Sequence, residues 1–370
     1  MDELPKPFFI LAPMDDVTDT VFRQIVTECA KPDLFFTEFV NVDGLQSPGR
    51  PRLLHKLALS PKEKPVIAQL WGLKPENFYK TAKEIADGTL FAEANAMLGK
   101  GEKRSEVYKQ YTERASEPLT TQGVASDGGA AGSASRQASA IRNKHGFDGV
   151  DLNMGCPVKT VTKNGACAAL INNRQLAKEI IMATREGAGN DFPVSVKTRV
   201  GFTTIDLSWI EFLLDLKILN MLSIHGRTAK QLSKVPANWE LIGRARQMRD
   251  TLCPATLIVG NGDVQSRQQG EELAKKYQLD GIMAGRGIFN DPFLFAQKSP
   301  WPNYTKEQRL EVFRRQVQLF SKTYKPGQRR LETLRKFAKV YISDFDGASD
   351  LRDKFMHTHH LDQILNLLED

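Results

Sequence analysis

Residues 153–157 read Asn-Met-Gly-Cys-Pro and put a thiol where an apolar run gives way to a loop. Cys156 is followed by proline and by Lys159 and Lys163, which sets it at an open, electropositive edge. A thiol so placed donates a proton or, as thiolate, attacks. Cys167 is its rival, because it follows Asn164-Gly165-Ala166 and precedes a helical stretch, and helix N-termini lower thiol pKa values. Cys29 and Cys253 read as structural. The four cysteines contain no CxxC pair, so neither a zinc site nor a disulfide framework is indicated. His357, His359 and His360 lack a partner at metal-ligand spacing and read as a solvated helix end. No metal is expected.

Two further groups carry chemistry. Lys197 and Arg199 stand two apart in Val-Ser-Val-Lys-Thr-Arg-Val, so on a strand both side chains share a face. Buried cations need an anion or a carbonyl-rich ligand. An ion pair with Glu38 or Asp151 would serve. An isoalloxazine ring, whose N1–C2=O edge gathers negative charge on reduction, would suit Lys197 together with Gln69. The second group is a pair of glycine-bearing turns, Val259-Gly-Asn-Gly-Asp263 and Ala284-Gly-Arg-Gly287. Glycine lets backbone N–H groups approach a phosphate closely, and Arg286 adds a charged fork.

Positioning these groups requires a regular scaffold. Strand-like runs recur at 8–14, 35–40, 65–71, 149–156, 193–200, 221–225, 256–260 and 281–285. Helical spacing falls between most of them, at 19–30, 75–86, 174–186, 239–250 and 266–277. Strands alternating with helices imply parallel strands joined by crossovers, and eight such units predict a closed (β/α)₈ (TIM) barrel of the α/β class. The helix after the second run is the weakest, since Pro48 and Pro51 interrupt it. The active site of such a barrel lies at the C-terminal ends of its strands. Pro13-Met14, Glu38, Gln69, Asn153 with Cys156, Lys197 with Arg199, His225 with Arg227, Asn261 with Asp263, and Gly285-Arg286 all fall there. The two glycine turns follow strands seven and eight, where barrels commonly bind phosphate.

From Trp71 to Gly149 nearly eighty residues intervene, against roughly thirty for a βαβ unit. Residues 123–135 are almost wholly Gly, Ala and Ser, a linker composition. A flexible insertion at about 89–140 accounts for the excess and leaves residues 1–300 with about 250, the usual barrel size. After Trp301-Pro302 only helical patterning remains, so a small all-helical domain is expected over 303–370. Residues 306–339 hold eleven Lys/Arg against three Glu, a net of +8, whereas 340–370 carry −5. A charge run is often only a solvated helix face.

Hydrophobic residues make up 41% of the 370-residue chain and charged ones 26%, which excludes wholesale disorder. No apolar run is long enough for a bilayer, and the start Met-Asp-Glu-Leu-Pro does not resemble a signal peptide. The expectation is a cytoplasmic, non-membrane protein. A net charge of +7 permits a polyanionic partner without demanding one.

The sequence resembles the tRNA-dihydrouridine synthases, flavoenzymes that reduce uridine in tRNA. The matching segments are Leu11-Ala-Pro-Met14, Val17-Thr-Asp19, Phe22-Arg23, Thr37-Glu-Phe39 and Ala68-Gln-Leu-Trp-Gly72. They continue with Asp148-Gly-Val-Asp-Leu-Asn-Met-Gly-Cys-Pro157, Val196-Lys-Thr-Arg199, Ile224-His-Gly-Arg-Thr228, Asn261-Gly-Asp263 and Gly285-Arg-Gly287. They run in order over the barrel outside the insertion.

The resemblance implies FMN at the barrel mouth, touched by Pro13, Met14, Gln69, Lys197 and His225. Its phosphate would rest on Asn261, Gly262, Asp263, Gly285 and Arg286. Cys156 would be the general acid, Asn153 and Arg199 would hold the target uracil, and NADPH would be the reductant. A C-terminal helical domain that helps bind tRNA is also implied, which raises the basic stretch 306–339 above a solvated face. A monomer is expected. Two departures stand out, the insertion, which interrupts the helical layer ahead of the catalytic strand, and Cys167, where glycine or another small residue is expected. The alternatives are a flavin barrel reducing a small molecule and a tRNA-binding barrel whose catalysis has decayed.

Overall fold

The computed structural model describes residues 4–98 and 146–369. Its centre is a parallel barrel. The strands are β1 (Phe8–Leu11), β2 (Leu34–Phe36), β3 (Val40–Asn41), β4 (Val66–Trp71), β5 (Gly149–Met154), β6 (Val194–Arg199), β7 (Met221–His225), β8 (Leu257–Asn261) and β9 (Gly281–Ala284). β1 pairs with both β2 and β9, and β2 with β4, which closes an eight-stranded ring. The two-residue β3 pairs only with the end of β4 and continues β2 after a break. The second strand run therefore splits at Thr37–Phe39. The Thr37 hydroxyl takes the Gln69 N–H at 3.0 Å, and buried Glu38 turns its carboxylate to the backbone N–H of Asp16 at 2.6 Å.

Strand alternation sorts the side chains. Phe9, Leu11, Phe35, Ala68, Leu222, Ile258 and Ile282 point outward and pack under the helices. Phe8, Ile10, Ala12, Leu34, Phe36, Ile67, Met221, Leu257, Val259 and Met283 form a separate cluster inside the ring. The outer layer is α1 (Thr20–Ala30), α2 (Pro75–Ala86), α3 (Thr89–Ala96), α4 (Arg174–Ala188), α5 (Leu207–Asp215), α6 (Trp239–Leu252) and α7 (Arg267–Tyr277). Most of these helices start on a side-chain cap, among them Asp19, Asn173, Asp206, Asn238 and Ser266, each accepting from a first-turn N–H. Between β3 and β4 short turns replace a full helix, as the prolines there require. Helix α5, which buries Trp209, Ile210, Leu213 and Leu214 and turns Ser208, Glu211 and Asp215 to solvent, was not among the helical stretches predicted from spacing.

The stretch expected to be an insertion, about 89–140, opens on a helix. Residues 89–96 form α3, with Leu90, Phe91, Ala92 and Ala94 buried against the barrel layer, and α2 before it is intact. Residues 99–140 of the expected insertion lie outside the described residues. Beyond the barrel come α8 (Lys306–Thr323), α9 (Ala338–Tyr341), α10 (Ala348–Met356) and α11 (Leu361–Leu367). α8 opens on a capping box of Thr305 and Gln308. These helices share one continuous apolar core with the barrel. Phe337 stacks on Phe22 of α1 with ring centroids 4.7 Å apart.

Candidate active site

A cavity of about 570 Å³ opens where β1 and β6 to β9 end. Pro13, Met14, Lys197, His225, Asn261, Gly262, Asp263, Gly285 and Arg286 all line it, so nine of the ten expected cofactor residues meet at one cavity. Gln69 is the exception. It is fully buried, donating from Nε2 to Asp151 at 2.7 Å and accepting from Asn153 at 3.3 Å.

The turns after β8 and β9 form a cradle. Asn261 ties them together by donating from Nδ2 to the Met283 carbonyl at 2.8 Å. Gly262 has φ +136°, and a Cβ there would lie 2.5 Å from that of Ala237. Asp263, also left-handed at φ +57°, turns its carboxylate to Arg227 and to the Ala237 N–H at 2.9 Å. Burial would raise the Asp263 pKa, but Arg227, the Ala237 N–H and Arg286 outweigh it and hold the carboxyl below its usual range. Among the described residues no chain acceptor takes the N–H groups of Gly262, Asp263, Arg286 or Gly287. Four open N–H groups and the exposed Arg286 guanidinium suit a phosphate. Arg227 falls at the mouth as its sequence position indicated, but its role was not foreseen. Its burial at 3% exposure and its pairing with Asp263 show that it shapes the turn.

On the opposite wall Lys197 has no hydrogen bond or ion pair among the described residues. Glu38 and Asp151, its expected partners, are engaged by Arg329 and by Ser195 with Gln69. Burial, reinforced by Arg199, lowers the Lys197 pKa to about 8. His225 is held neutral, since burial and then Arg199, Lys197 and Arg227 all disfavour its cation. Arg199 donates to the Gly155 carbonyl at 2.7 Å, contacts His225 Nδ1 at 3.2 Å and donates to the Thr228 carbonyl at 3.2 Å. Ser223, register partner of Lys197, carries a buried hydroxyl without a hydrogen bond among the described residues.

Asn153 shapes the turn that presents Cys156. Its Oδ1 accepts from the N–H groups of Gly155 at 3.2 Å and Cys156 at 3.0 Å, while Nδ2 donates to Gln69. The amide oxygen is thus committed inside the chain, while Nδ2, with one of its two N–H groups on Gln69, keeps the other. Cys156 is half-buried. Burial raises its thiol pKa against the opposing pull of the Val158 N–H, Lys197 and Arg199, so it stays protonated at neutral pH. Cys167 does not behave as the rival thiol. It is fully buried, which drives its pKa well above the ordinary value. Its φ of +53° explains why glycine is the expected residue there.

Asp15, Asp16 and Glu38 lie close enough to share an ion, but Lys56, Lys336 and Arg329 neutralise them. His357, His359 and His360 are exposed. Among the described residues no helix is long and apolar enough to cross a membrane.

This chain can be set beside known proteins. The family model described as "Dihydrouridine synthase (Dus)" matches residues 10–95 and 89–370. The chain is 39% identical, over its whole length and 94% of the relative's, to a probable tRNA-dihydrouridine synthase of Staphylococcus aureus (strain COL). A probable tRNA-dihydrouridine synthase of Staphylococcus epidermidis (strain ATCC 35984) is 40% identical over 99% of this chain and 94% of its own. Probable tRNA-dihydrouridine synthase 2 of Bacillus subtilis (strain 168) is 38% identical over 100% of this chain and 95% of its own.

Proposed function

Since the chain belongs to the dihydrouridine synthase family of oxidoreductases, we propose that it reduces specific uridines of tRNA to 5,6-dihydrouridine, with FMN as cofactor and NADPH as reductant. The observation that carries the reading is the composition of the cavity wall, open N–H groups with Arg286 at one end and an unpaired Lys197 beside neutral His225 at the other. A phosphorylated flavin matches both ends. Bound there, FMN supplies a hydride from N5 to uracil C6.

The chain's own residues do the rest. Gly262, Asp263, Gly285 and Arg286 would cradle the phosphate, with the open N–H groups of Gly262, Asp263, Arg286 and Gly287 and the guanidinium as donors. Lys197 would offset the negative charge that a reduced flavin gathers at its N1–C2=O edge. Cys156 gives its proton to uracil C5, a role that a thiol raised by burial suits better than that of nucleophile. Arg199, which crosses from Gly155 to His225, steadies the uracil side of the mouth. The uracil has to leave its stack to reach them, which costs a few kcal/mol.

Residues 303–370 are read as the tRNA-binding part, with fewer phosphate contacts than the charge count suggested. Arg309, Arg314, Arg315, Arg329 and Lys336 pair with Asp344, Glu311, Glu28, Asp19 with Glu38, and Asp16. Lys322, Lys325, Arg330 and Lys339 remain exposed, and Lys159, Lys163, Lys230 and Lys234 extend the positive rim around the mouth.

The test uses tRNA from cells lacking the gene, digested and mapped for dihydrouridine by mass spectrometry, with purified protein and NADPH added back. Loss at one or a few positions, restored by the protein, is expected. Unchanged dihydrouridine with yellow protein would replace this reading with a small-molecule reductase, and with colourless protein with a decayed barrel.

A further inference from the structure

The wall of the cavity formed by Pro13 and Met14 hangs on a short loop between β1 and α1. Met14 closes that loop on Thr18, donating its N–H to Oγ1 at 2.9 Å while its carbonyl accepts the Thr18 N–H at 3.0 Å. Asp16 sits in the left-handed region at φ +56°, a conformation that is strained for aspartate unless its surroundings impose it. The imposing group is Glu38, which takes the Asp16 N–H at 2.6 Å. At the far end of the loop, Asp19 caps α1 through Oδ1 on the Phe22 N–H at 2.8 Å.

Glu38 and Asp19 are both buried, at 0% and 5% exposure, and each disfavours the other's charge. One side chain from outside the barrel joins them. Arg329, itself 8% exposed, reaches Glu38 with NH1 at 3.0 Å and NH2 at 3.3 Å, and its Nε lies 3.0 Å from Asp19 Oδ2. Tyr324 adds a hydroxyl to Asp19 Oδ2 at 3.0 Å. Both residues come from the segment after α8, more than three hundred positions from the loop they hold.

We propose that Arg329 is a positioning residue for the cofactor cavity: the C-terminal segment, by bridging Glu38 and Asp19, fixes the loop that carries Pro13 and Met14. The inference rests on the reading of that cavity as an FMN site. Without the guanidinium Glu38 is left with the longer contact to Lys56, at 3.9 Å, against the Asp19 carboxylate, and relief comes by protonating Glu38 or by letting the loop open. Either change moves the wall while leaving the barrel ring, whose ladder does not pass through this loop, in place.

The experiment titrates FMN into flavin-free full-length protein, following quenching of flavin fluorescence, for wild type, Arg329→Met and Arg329→Lys. Arg249→Met is the control. It removes another buried arginine, paired with Asp280 at 2.9 Å near the N-terminal ends of β8 and β9, away from the mouth. Arg329→Met should raise the FMN Kd about tenfold or more, as a displaced wall would. Arg329→Lys should restore part of the affinity. Arg249→Met should lower the melting temperature and leave FMN affinity unchanged. Glu38→Gln, which keeps shape and removes one charge, should weaken FMN in the same direction, and provides the test should Arg329→Met not fold. Wild-type affinity in Arg329→Met, or an equal loss in Arg249→Met, would overturn the proposal alone. A wild-type protein that does not bind FMN would overturn it together with the reading beneath it.

Discussion

The inside of the barrel has two unlike sides. Along β1, β2 and β9 and through most of β8, the inward residues are Phe8, Ile10, Leu34, Phe36, Leu257, Val259 and Met283. Along β4 to β7 they become Gln69, Asp151, Asn153, Ser195, Lys197, Arg199, Ser223 and His225, with Ile67 and Met221 the apolar members at the strand starts. The apolar side supplies packing below the mouth, and only the turns beyond its strand ends, after β1, β8 and β9, line the cavity. The polar side forms a hydrogen-bonded tier, Ser195 to Asp151 at 2.6 Å and Gln69 to Asp151 at 2.7 Å, on which the residues nearest the mouth stand. A buried polar tier is a liability unless its groups are satisfied, and here Ser223 and Lys197 are the members left open. They mark where chemistry, not packing, set the residue type.

Four substitutions sharpen or break that contrast. Cys156→Ala, at the loop end of the polar side, should lower dihydrouridine formation by about 10²–10⁴-fold with flavin absorbance retained. Wild-type turnover on tRNA would remove the thiol from the proposed acid role. Phe36→Ala, on the apolar side, should destabilise the fold by about 3–5 kcal/mol in denaturant unfolding, with activity per folded molecule unchanged.

Lys197→Met should weaken FMN binding and alter the pH dependence of stability in the flavin-free protein. Lys197 deprotonates at about 8 when folded and near the ordinary 10.5 when unfolded. Between those values the unfolded chain binds more protons, so the stability from this residue rises as pH increases through that window. Chemical denaturation at a series of pH values should show that rise in wild type and a flatter curve in Lys197→Met. Asp151, raised by burial to about 6, has the opposite sign: its contribution falls as pH climbs from about 4 to 6. The smallest effect belongs to Cys167→Ala, which should leave turnover unchanged, because a fully buried thiol does not reach the substrate. A large loss there would make the two thiols act together.

Much of this architecture was legible in local pattern. The sixth strand run, 221–225, and the helix at 75–86 coincide with β7 and α2, because period-two and period-3.6 burial register directly in residue type. The glycine turns at 260–263 and 284–287 were legible for a similar reason, since positive φ and close approach leave a compositional mark. Helix α3 carries little polar face to give it a period, whereas α5 has one in Ser208, Glu211 and Asp215, too short to stand out from the apolar residues around it. Gln69 and Asn153 were recognised as buried polar groups at strand ends, but which neighbour would occupy their amides depends on register between β4 and β5.

The chain order of apolar runs, the glycine turns and the Asn-Met-Gly-Cys-Pro segment by themselves determined a barrel with a reactive mouth, since backbone geometry and side-chain period are local properties. The assignment of charges to partners was decided only by tertiary structure. Arg329 appears in the sequence as one more cation of a basic stretch, indistinguishable in type from exposed Arg330 beside it. Folding buries the first between Glu38 and Asp19 and leaves the second in water, because an ion pair depends on distances in space that no sequence spacing encodes.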